Sequence, residues 1–246
     1  MCSNGMFSEN RKEVKVMQIA AIQKTTLLDY PGHLACTVFL PGCNLRCPYC
    51  HNAPLVLPEE GLPASLSQQE LLSFLEKRAG LLEGVCISGG EPTLHSGLPQ
   101  LLREIRSQGY LTKLDTNGSH PAMLASLLEE GLLDYVAMDI KNSPARYGLT
   151  CGGAEILPQA EASAALLMES GTDYEFRTTV CHPFHTPEDL TAIGLWLRGA
   201  KRYFLQPFVD SGHLVGSGVS ALTAVELEAL RQAVLPFIPN TTIRGL

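Results

Sequence analysis

Three cysteines carry the strongest chemical signal in this sequence. Cys43, Cys47 and Cys50 are spaced C-x3-C-x2-C inside the stretch from Gly42 to Pro54. Gly42, Pro48 and Pro54 interrupt any helix, so the stretch reads as a loop that can fold its thiols around a common centre. Three thiolates fill three corners of a cubane [4Fe–4S] cluster and leave the fourth iron without a protein ligand, whereas electron carriers commonly use four cysteines. An iron left bare implies that a second molecule binds there and that chemistry happens at it. Three plainer readings compete. Zinc with His51 as a fourth ligand is one, but structural zinc sites draw on two ligand pairs and no second pair lies nearby. Cys47-Pro48-Tyr49-Cys50-His51 also fits the C-x-x-C-H of covalent haem attachment. That reading implies export, for which no signal-peptide pattern is present, and it leaves Cys43 idle. A structural disulfide is disfavoured in a reducing compartment. Spacing favours the cluster and leaves the alternatives open.

The elements that must position this loop are legible around it. Leu34 to Leu40 is an unbroken apolar run of strand length, the pattern of a strand buried on both faces, and it delivers the chain into the cysteine loop. Cys36 inside it reads as a small core residue. After a proline-rich crossing from Pro54 to Pro63, strand-like and helix-like segments alternate. Strands are expected at 18–23, 84–88, 110–114, 135–138, 174–180, 202–205 and, briefly, 241–243. Helices are expected at 67–77, 96–107, 121–130, 156–170, from Thr186 onward, and at 223–234. Ser67 with Glu70, Thr186 before Pro187, and Thr223 with Glu226 mark helix starts. Strands separated by helices of this length indicate βαβ units and a parallel sheet. About six units fit, while a complete eight-unit barrel takes ~250 residues. The expected fold is α/β: a partial (β/α)6 barrel, parallel strands with helices outside, in a single domain over 17–246 behind a polar N-terminal tail at 1–16. Met17 is a second candidate start.

Composition narrows the function. A net charge of −7 argues against a general nucleic-acid or membrane surface. No apolar run reaches the ~18 residues of a membrane helix. Eight cysteines without an export pattern indicate a reducing compartment, hence a cytoplasmic location. Cys2, Cys86, Cys151 and Cys181 show no metal spacing and read as structural or incidental. The other histidines read as surface or turn residues.

In barrel-like βα folds the chemistry gathers at the carboxyl ends of the strands. Here those ends carry the three cysteines, Gly89-Gly90-Glu91, Asp115-Thr116-Asn117, Asp139 with Lys141, and Arg177. Each has an ordinary reading. A glycine pair is a tight turn, Glu91 an exposed turn acid, and Asp115-Thr116-Asn117-Gly118 an Asx-type turn. The functional readings are a backbone that a ligand can approach closely at the glycines, a cation or amine shared by Asp115 and Asp139, and a carboxylate met by Arg177. Charges at the ends of apolar strands are costly unless partnered, which favours function for Asp139 and Lys141.

Taken together, C-x3-C-x2-C with Tyr49 before the third cysteine and Gly89-Gly90-Glu91-Pro92 resemble the radical S-adenosylmethionine superfamily. Leu28-Asp29-Tyr30-Pro31-Gly32, Phe39 to Asn52 and Asp115-Thr116-Asn117-Gly118 resemble its glycyl-radical-enzyme activases, in particular the activating proteins of anaerobic ribonucleoside-triphosphate reductase. The resemblance implies one [4Fe–4S] cluster on Cys43, Cys47 and Cys50, with S-adenosylmethionine as cofactor. Tyr49 and His51 would lie against its nucleoside, and Gly89, Gly90 and Glu91 would receive its amino group. Asp115, Thr116 and Asp139 resemble a monovalent-cation site, with Asn117 in the same turn. Lys141 and Arg177 would line the cofactor or substrate. The implied activity is reductive cleavage of S-adenosylmethionine and formation of a glycyl radical on a partner enzyme. A flavodoxin- or ferredoxin-like protein would supply the electron. The alternatives are an activase of the pyruvate formate-lyase type and a radical enzyme acting on a small molecule. Those activases place a histidine after the last strand's Pro-aromatic pair; Gln206-Pro207-Phe208-Val209 has none.

Overall fold

A computed structural model describes residues 17–50, 52–57, 66–210, 212 and 214–245. The tail 1–16 with Cys2, the candidate residue His51, His213 and most of the proline-rich crossing lie outside the described residues. The main sheet has eight strands in the order β10-β9-β8-β7-β6-β5-β3-β2. These are β2 (Ala21–Thr26), β3 (Ala35–Leu40), β5 (Gly84–Gly89), β6 (Leu111–Thr116), β7 (Tyr135–Asp139), β8 (Asp173–Val180), β9 (Tyr203–Pro207) and β10 (Thr241–Ile243). Every neighbour pair from β3 to β10 is parallel, and β2 lies antiparallel on β3. The strand expected at 18–23 is divided. β1 (Gln18–Ile19) pairs with β4 (Leu66–Ser67) in a separate antiparallel ribbon, and the chain then enters the sheet as β2. A single edge strand pairs antiparallel here because β2 is joined to β3 by the Leu27–Leu34 turn, without a helical crossover.

Six helices follow the strands: α2 (Gln68–Glu76), α3 (Leu98–Ser107), α4 (Pro121–Glu129), α6 (Leu157–Glu169), α7 (Pro187–Trp196) and α8 (Ala224–Val234). Two single-turn helices, α1 (Ala53–Val56) and α5 (Tyr147–Thr150), were not apparent from the sequence pattern. Ser67, Thr186 and Thr223 close capping boxes with Glu70, Asp189 and Glu226. Such caps contribute about 1 kcal/mol each, and they fix where each helix leaves the strand ends. The apolar core lies between sheet and helices, where Cys36, Val38 and Leu40 of β3, Leu101 and Ile105 of α3 and Leu190 and Ile193 of α7 are fully buried.

The opposite face of the sheet is polar. Alternation places Cys86 and Ser88 of β5, Lys113 and Asp115 of β6, Asp139 of β7, and Glu175, Arg177 and Thr179 of β8 on it. Flat strands about 4.8 Å apart would set β2 and β9 roughly 30 Å from each other. Yet Gln23 of β2 and Gln206 of β9 line the same cavity. The sheet is therefore curled into the expected partial barrel, with a charged interior. Among the described residues no helix is long and apolar enough to cross a membrane.

Candidate active site

Strand β3 ends at Leu40, and the cysteine loop is then tied down from four directions. Gly42 N–H donates to Leu55 O at 2.8 Å. Glu91 N–H donates to Gly42 O at 2.8 Å, and Gly90 N–H to Leu40 O at 2.9 Å. Arg46 N–H donates to Cys151 O at 3.3 Å. Val215 and Gly216, in the segment after β9, donate to Cys50 O and Pro48 O at 3.3 and 3.0 Å. The glycine pair is needed for this seam. A Cβ on Gly90 would stand 1.9 Å from Gly42 O, and one on Gly89, whose φ is +124°, would stand 2.3 Å from Leu40 O. Any side chain there pushes the cysteine loop off the sheet.

The loop and the strand ends enclose a cavity of about 400 Å³, within the size range of small-molecule sites. Cys43, Cys47, Cys50, Tyr49, Gly89, Gly90, Asp115, Thr116, Asn117, Asp139, Lys141 and Arg177 all line it. Glu91 does not. Its carboxylate is fully buried beside the cavity. It accepts from Thr93 N–H at 3.0 Å, Thr116 Oγ1 at 2.8 Å and Asn117 N–H at 2.6 Å, as well as from Thr93 Oγ1. Burial pushes its pKa up although these bonds oppose the shift. Glu91 thus latches the ends of β5 and β6 together.

Ion pairs run across the floor of the cavity. Asp139 accepts from Lys141 Nζ and from Arg177 Nε, each at 3.0 Å, and Arg177 Nη2 stands 2.9 Å from it as an ion pair. Asp115 meets Arg177 Nη1 at 3.4 Å, Ser88 Oγ at 3.1 Å and the Lys113 ammonium. Burial would raise both carboxyls, but the neighbouring cations hold them below the usual carboxylate range. Where the resemblance implied a monovalent cation, the guanidinium of Arg177 bridges Asp115 and Asp139. Lys113, Lys141 and Arg177 thus share Asp115 and Asp139, and Asp29 adds a third carboxylate to the cavity wall.

Burial raises the pKa of Cys43 and Cys50, while Lys141 lowers that of all three cysteines. Cys47 alone falls below the ordinary thiol value, to about 7, under the influence first of the neighbouring Cys151 thiol and, against burial, of the Lys141 ammonium. Cys43 Sγ receives Leu45 N–H at 3.4 Å. The donor set fits a cluster with one bare iron: three thiols share one wall, and among the described residues no fourth cysteine and no histidine lines the cavity. Among the described residues no three Cys, His, Asp or Glu groups gather closely enough for a single metal ion.

Several contributors escaped the sequence reading. Lys113 is 1% exposed and buried beneath Asp115. Its signal was position, two residues before Asp115 on the same strand face. Asp29, from the turn after β2, lines the cavity and accepts from Thr37 Oγ1 at 2.6 Å. His185 is buried, not a surface residue, and its Nε2 lies 3.0 Å from Lys141 O, fixing the backbone that carries that ammonium. Cys151, unremarkable in spacing, is fully buried, and its carbonyl anchors the cysteine loop at Arg46 N–H.

With this geometry in hand, comparison with known proteins gives a consistent result. The Radical SAM superfamily profile matches residues 37–197. A Methanocaldococcus jannaschii protein provisionally named a glycyl-radical enzyme activating enzyme is 30% identical over 195 residues, covering 77% of this chain and 79% of that protein. The pyruvate formate-lyase-activating enzyme of Clostridium pasteurianum is 33% identical over 133 residues, 51% of this chain and 52% of its own. The matched region thus spans about half the length of that relative. A crystal structure of a domain of a pyruvate-formate lyase-activating enzyme from Bacteroides vulgatus shares the fold. Its TM-score is 0.52 at 16% identity, over 66% of this chain and 99% of that domain.

Proposed function

The chain belongs to the radical SAM superfamily, and from that premise we propose that it is an activase that installs a glycyl radical on a partner protein, anaerobic ribonucleoside-triphosphate reductase. The observation that carries the reading is the combination of three cavity-facing thiols with the Lys141 and Arg177 cations in the same cavity. Similarity to an activating enzyme over most of its length supports the activase role. The Leu28-Asp29-Tyr30-Pro31-Gly32 and Asp115-Thr116-Asn117-Gly118 stretches, with Val209 and not histidine directly after Pro207-Phe208, favour the reductase over pyruvate formate-lyase as partner.

Cys43, Cys47 and Cys50 would hold the [4Fe–4S] cluster. When bound, the cluster and S-adenosylmethionine supply one-electron cleavage of the sulfonium and removal of a hydrogen atom from glycine. The protein's share is binding and orientation. Lys141 and Arg177 draw the cofactor's carboxylate into the cavity. The backbone of Gly89 and Gly90 and the carboxylate edges of Asp115 and Asp139 offer acceptors for its amino group. Tyr49, 5% exposed and packed against Phe184 and His185, gives the nucleoside a rigid apolar wall. His51 is assigned to the same wall by resemblance. A flavodoxin- or ferredoxin-like donor in the cytoplasm would provide the electron.

The test is anaerobic incubation of the reconstituted chain with S-adenosylmethionine, a reductant and the anaerobic ribonucleotide reductase of the same organism, read by EPR. A glycyl doublet on the reductase is expected. A doublet formed only on pyruvate formate-lyase would overturn the partner. Deoxyadenosine released with a small metabolite, and no doublet on either protein, would overturn the activase reading.

A further inference from the structure

We propose that His185 is a positioning residue for S-adenosylmethionine binding: its buried imidazole holds the carbonyl of Lys141 and so sets where that residue's ammonium enters the cavity. The inference rests on the reading that Lys141 meets the cofactor's carboxylate.

Lys141 needs such a hold. The last pairing of β7 with β8 sets Asp139 against Arg177. One residue on, Ile140 N–H still donates to Arg177 O at 2.7 Å, and Ile140 O accepts from Thr178 Oγ1 at 2.7 Å. Lys141 lies past the end of the strand, and its carbonyl is held by side chains. His185 Nε2 lies 3.0 Å from that oxygen, and Tyr49 Oη donates to it at 3.5 Å. One carbonyl thus joins two walls of the cavity, the Lys141 ammonium and the Tyr49 ring. The imidazole also packs edge-on against the Tyr49 ring, with centroids 6.1 Å apart. The next residue is tied to the same loop, since Asn142 Nδ2 donates to Phe184 O at 2.9 Å.

The partners assign the imidazole's proton. Nε2 faces a carbonyl oxygen, which can only accept, so Nε2 carries the hydrogen. Nδ1 accepts from Cys181 N–H at 3.2 Å, and burial at 3% exposure disfavours a charged ring. Tyr49 and Lys141 line the cavity and His185 does not. It reaches a cofactor only through the residues it holds. A group hydrogen-bonded and packed behind the side chains that touch a ligand keeps them within the narrow geometry that binding needs.

The experiment uses two substitutions that divide the functions of the ring. His185→Gln can set its amide nitrogen where Nε2 stands and keep the donation to Lys141 O. His185→Asn can set its amide oxygen where Nδ1 stands, which keeps the acceptor for Cys181 N–H but falls short of Lys141. Calorimetry on the anaerobically reconstituted full chain gives the Kd for S-adenosylmethionine, and thermal melts follow stability. His185→Gln should bind within about twofold of wild type. His185→Asn should bind about three- to tenfold more weakly, the worth of one neutral hydrogen bond. In a Lys141→Met background the asparagine substitution should cost no more than about twofold, because residues that act through one another are not additive. Equal affinities of the two variants, or an asparagine loss undiminished by Lys141→Met, would overturn the proposal. Should the asparagine variant not fold, His185→Gln decides: affinity near wild type upholds the donation, and a loss of about tenfold with unchanged melting overturns it. A wild-type chain that does not bind S-adenosylmethionine would instead overturn the cofactor reading beneath it.

Discussion

The two ends of the barrel are alike in composition and opposite in state. At the carboxyl end, Lys113, Arg177 and Lys141 share two carboxylates, and three thiols stand beside them. At the amino end a second cavity of about 500 Å³ is lined by Tyr30, Asp134, Tyr135, Asp173, Glu175, Arg202 and Arg244. There the charges are matched. Arg244 bonds both oxygens of the fully buried Glu175 at 2.8 Å, Tyr135 Oη donates to Glu175 at 2.8 Å, and Arg106 pairs with Asp134 at 2.5 Å. Tyr30, 2% exposed, plugs the opening against Tyr135. Volume and charge content do not separate the two ends. Thiols do: three face the carboxyl-end cavity, while among the described residues none lines the amino-end one, whose groups are used on one another. A site is marked by unspent bonding capacity facing a cavity.

The strongest break of this contrast is at the thiols. Cys47→Ala should abolish reductive cleavage of S-adenosylmethionine under anaerobic conditions, measured as 5′-deoxyadenosine; retained cleavage would remove the iron site from the carboxyl end. Next is the latch. Glu91→Ala leaves two backbone N–H groups and two hydroxyls without their acceptor, and should cost about 3–5 kcal/mol in denaturant unfolding. An unchanged midpoint with weakened cofactor binding would return Glu91 to the ligand. Lys141→Met leaves Asp139 still paired with Arg177. It should weaken S-adenosylmethionine binding by about 1.5–3 kcal/mol, seen by calorimetry, with little change in Tm. At the amino end the pattern should invert. Glu175→Gln breaks a pair whose arginine is partly exposed, so a stability loss of about 1–2 kcal/mol is expected with cofactor affinity intact.

The smallest effect concerns pH. Asp115, Asp139 and Glu175 are all held below the usual carboxylate range by their cationic partners, against the effect of burial. Their contribution is fully present above the unfolded carboxylate values near 4 and is lost as pH falls through the lower folded values. Glu91 has the opposite sign: its raised value means its contribution is present in acid and fades as pH rises through the folded value. Thermal melts should therefore fall steeply only below about pH 4. Glu91→Gln should remove the opposing trend above it, while a melt profile unchanged by that substitution would contradict the burial argument.

Much of the site was legible because strand ends and caps are local. The apolar run into Cys43, the Gly-Gly-Glu turn and the three capping boxes each depend on residues within a few positions. Long-range partnership was not legible. Nothing near Glu91 says that Thr116 and Asn117, on the next strand, will saturate it. Nothing near Cys151 says that its carbonyl will accept from Arg46 N–H, more than a hundred residues earlier. Lys113 and Glu175 were visible in principle through period-two alternation from Asp115 and Arg177, but a charged residue within a strand reads as solvent-facing until the sheet is known to curl. The division at Ala20 escaped because an apolar-rich run does not reveal that two different partners, β4 and β3, will share it.

The central claim is that three thiols hold a cluster with one iron open to a sulfonium nucleotide. It is tested most directly by anaerobic reconstitution, iron and sulfide analysis, and EPR of the reduced protein before and after adding S-adenosylmethionine. The account predicts about four irons and four sulfides per chain and a cluster signal that the nucleotide alters. An iron-free chain, or a cluster signal indifferent to saturating S-adenosylmethionine, would contradict it.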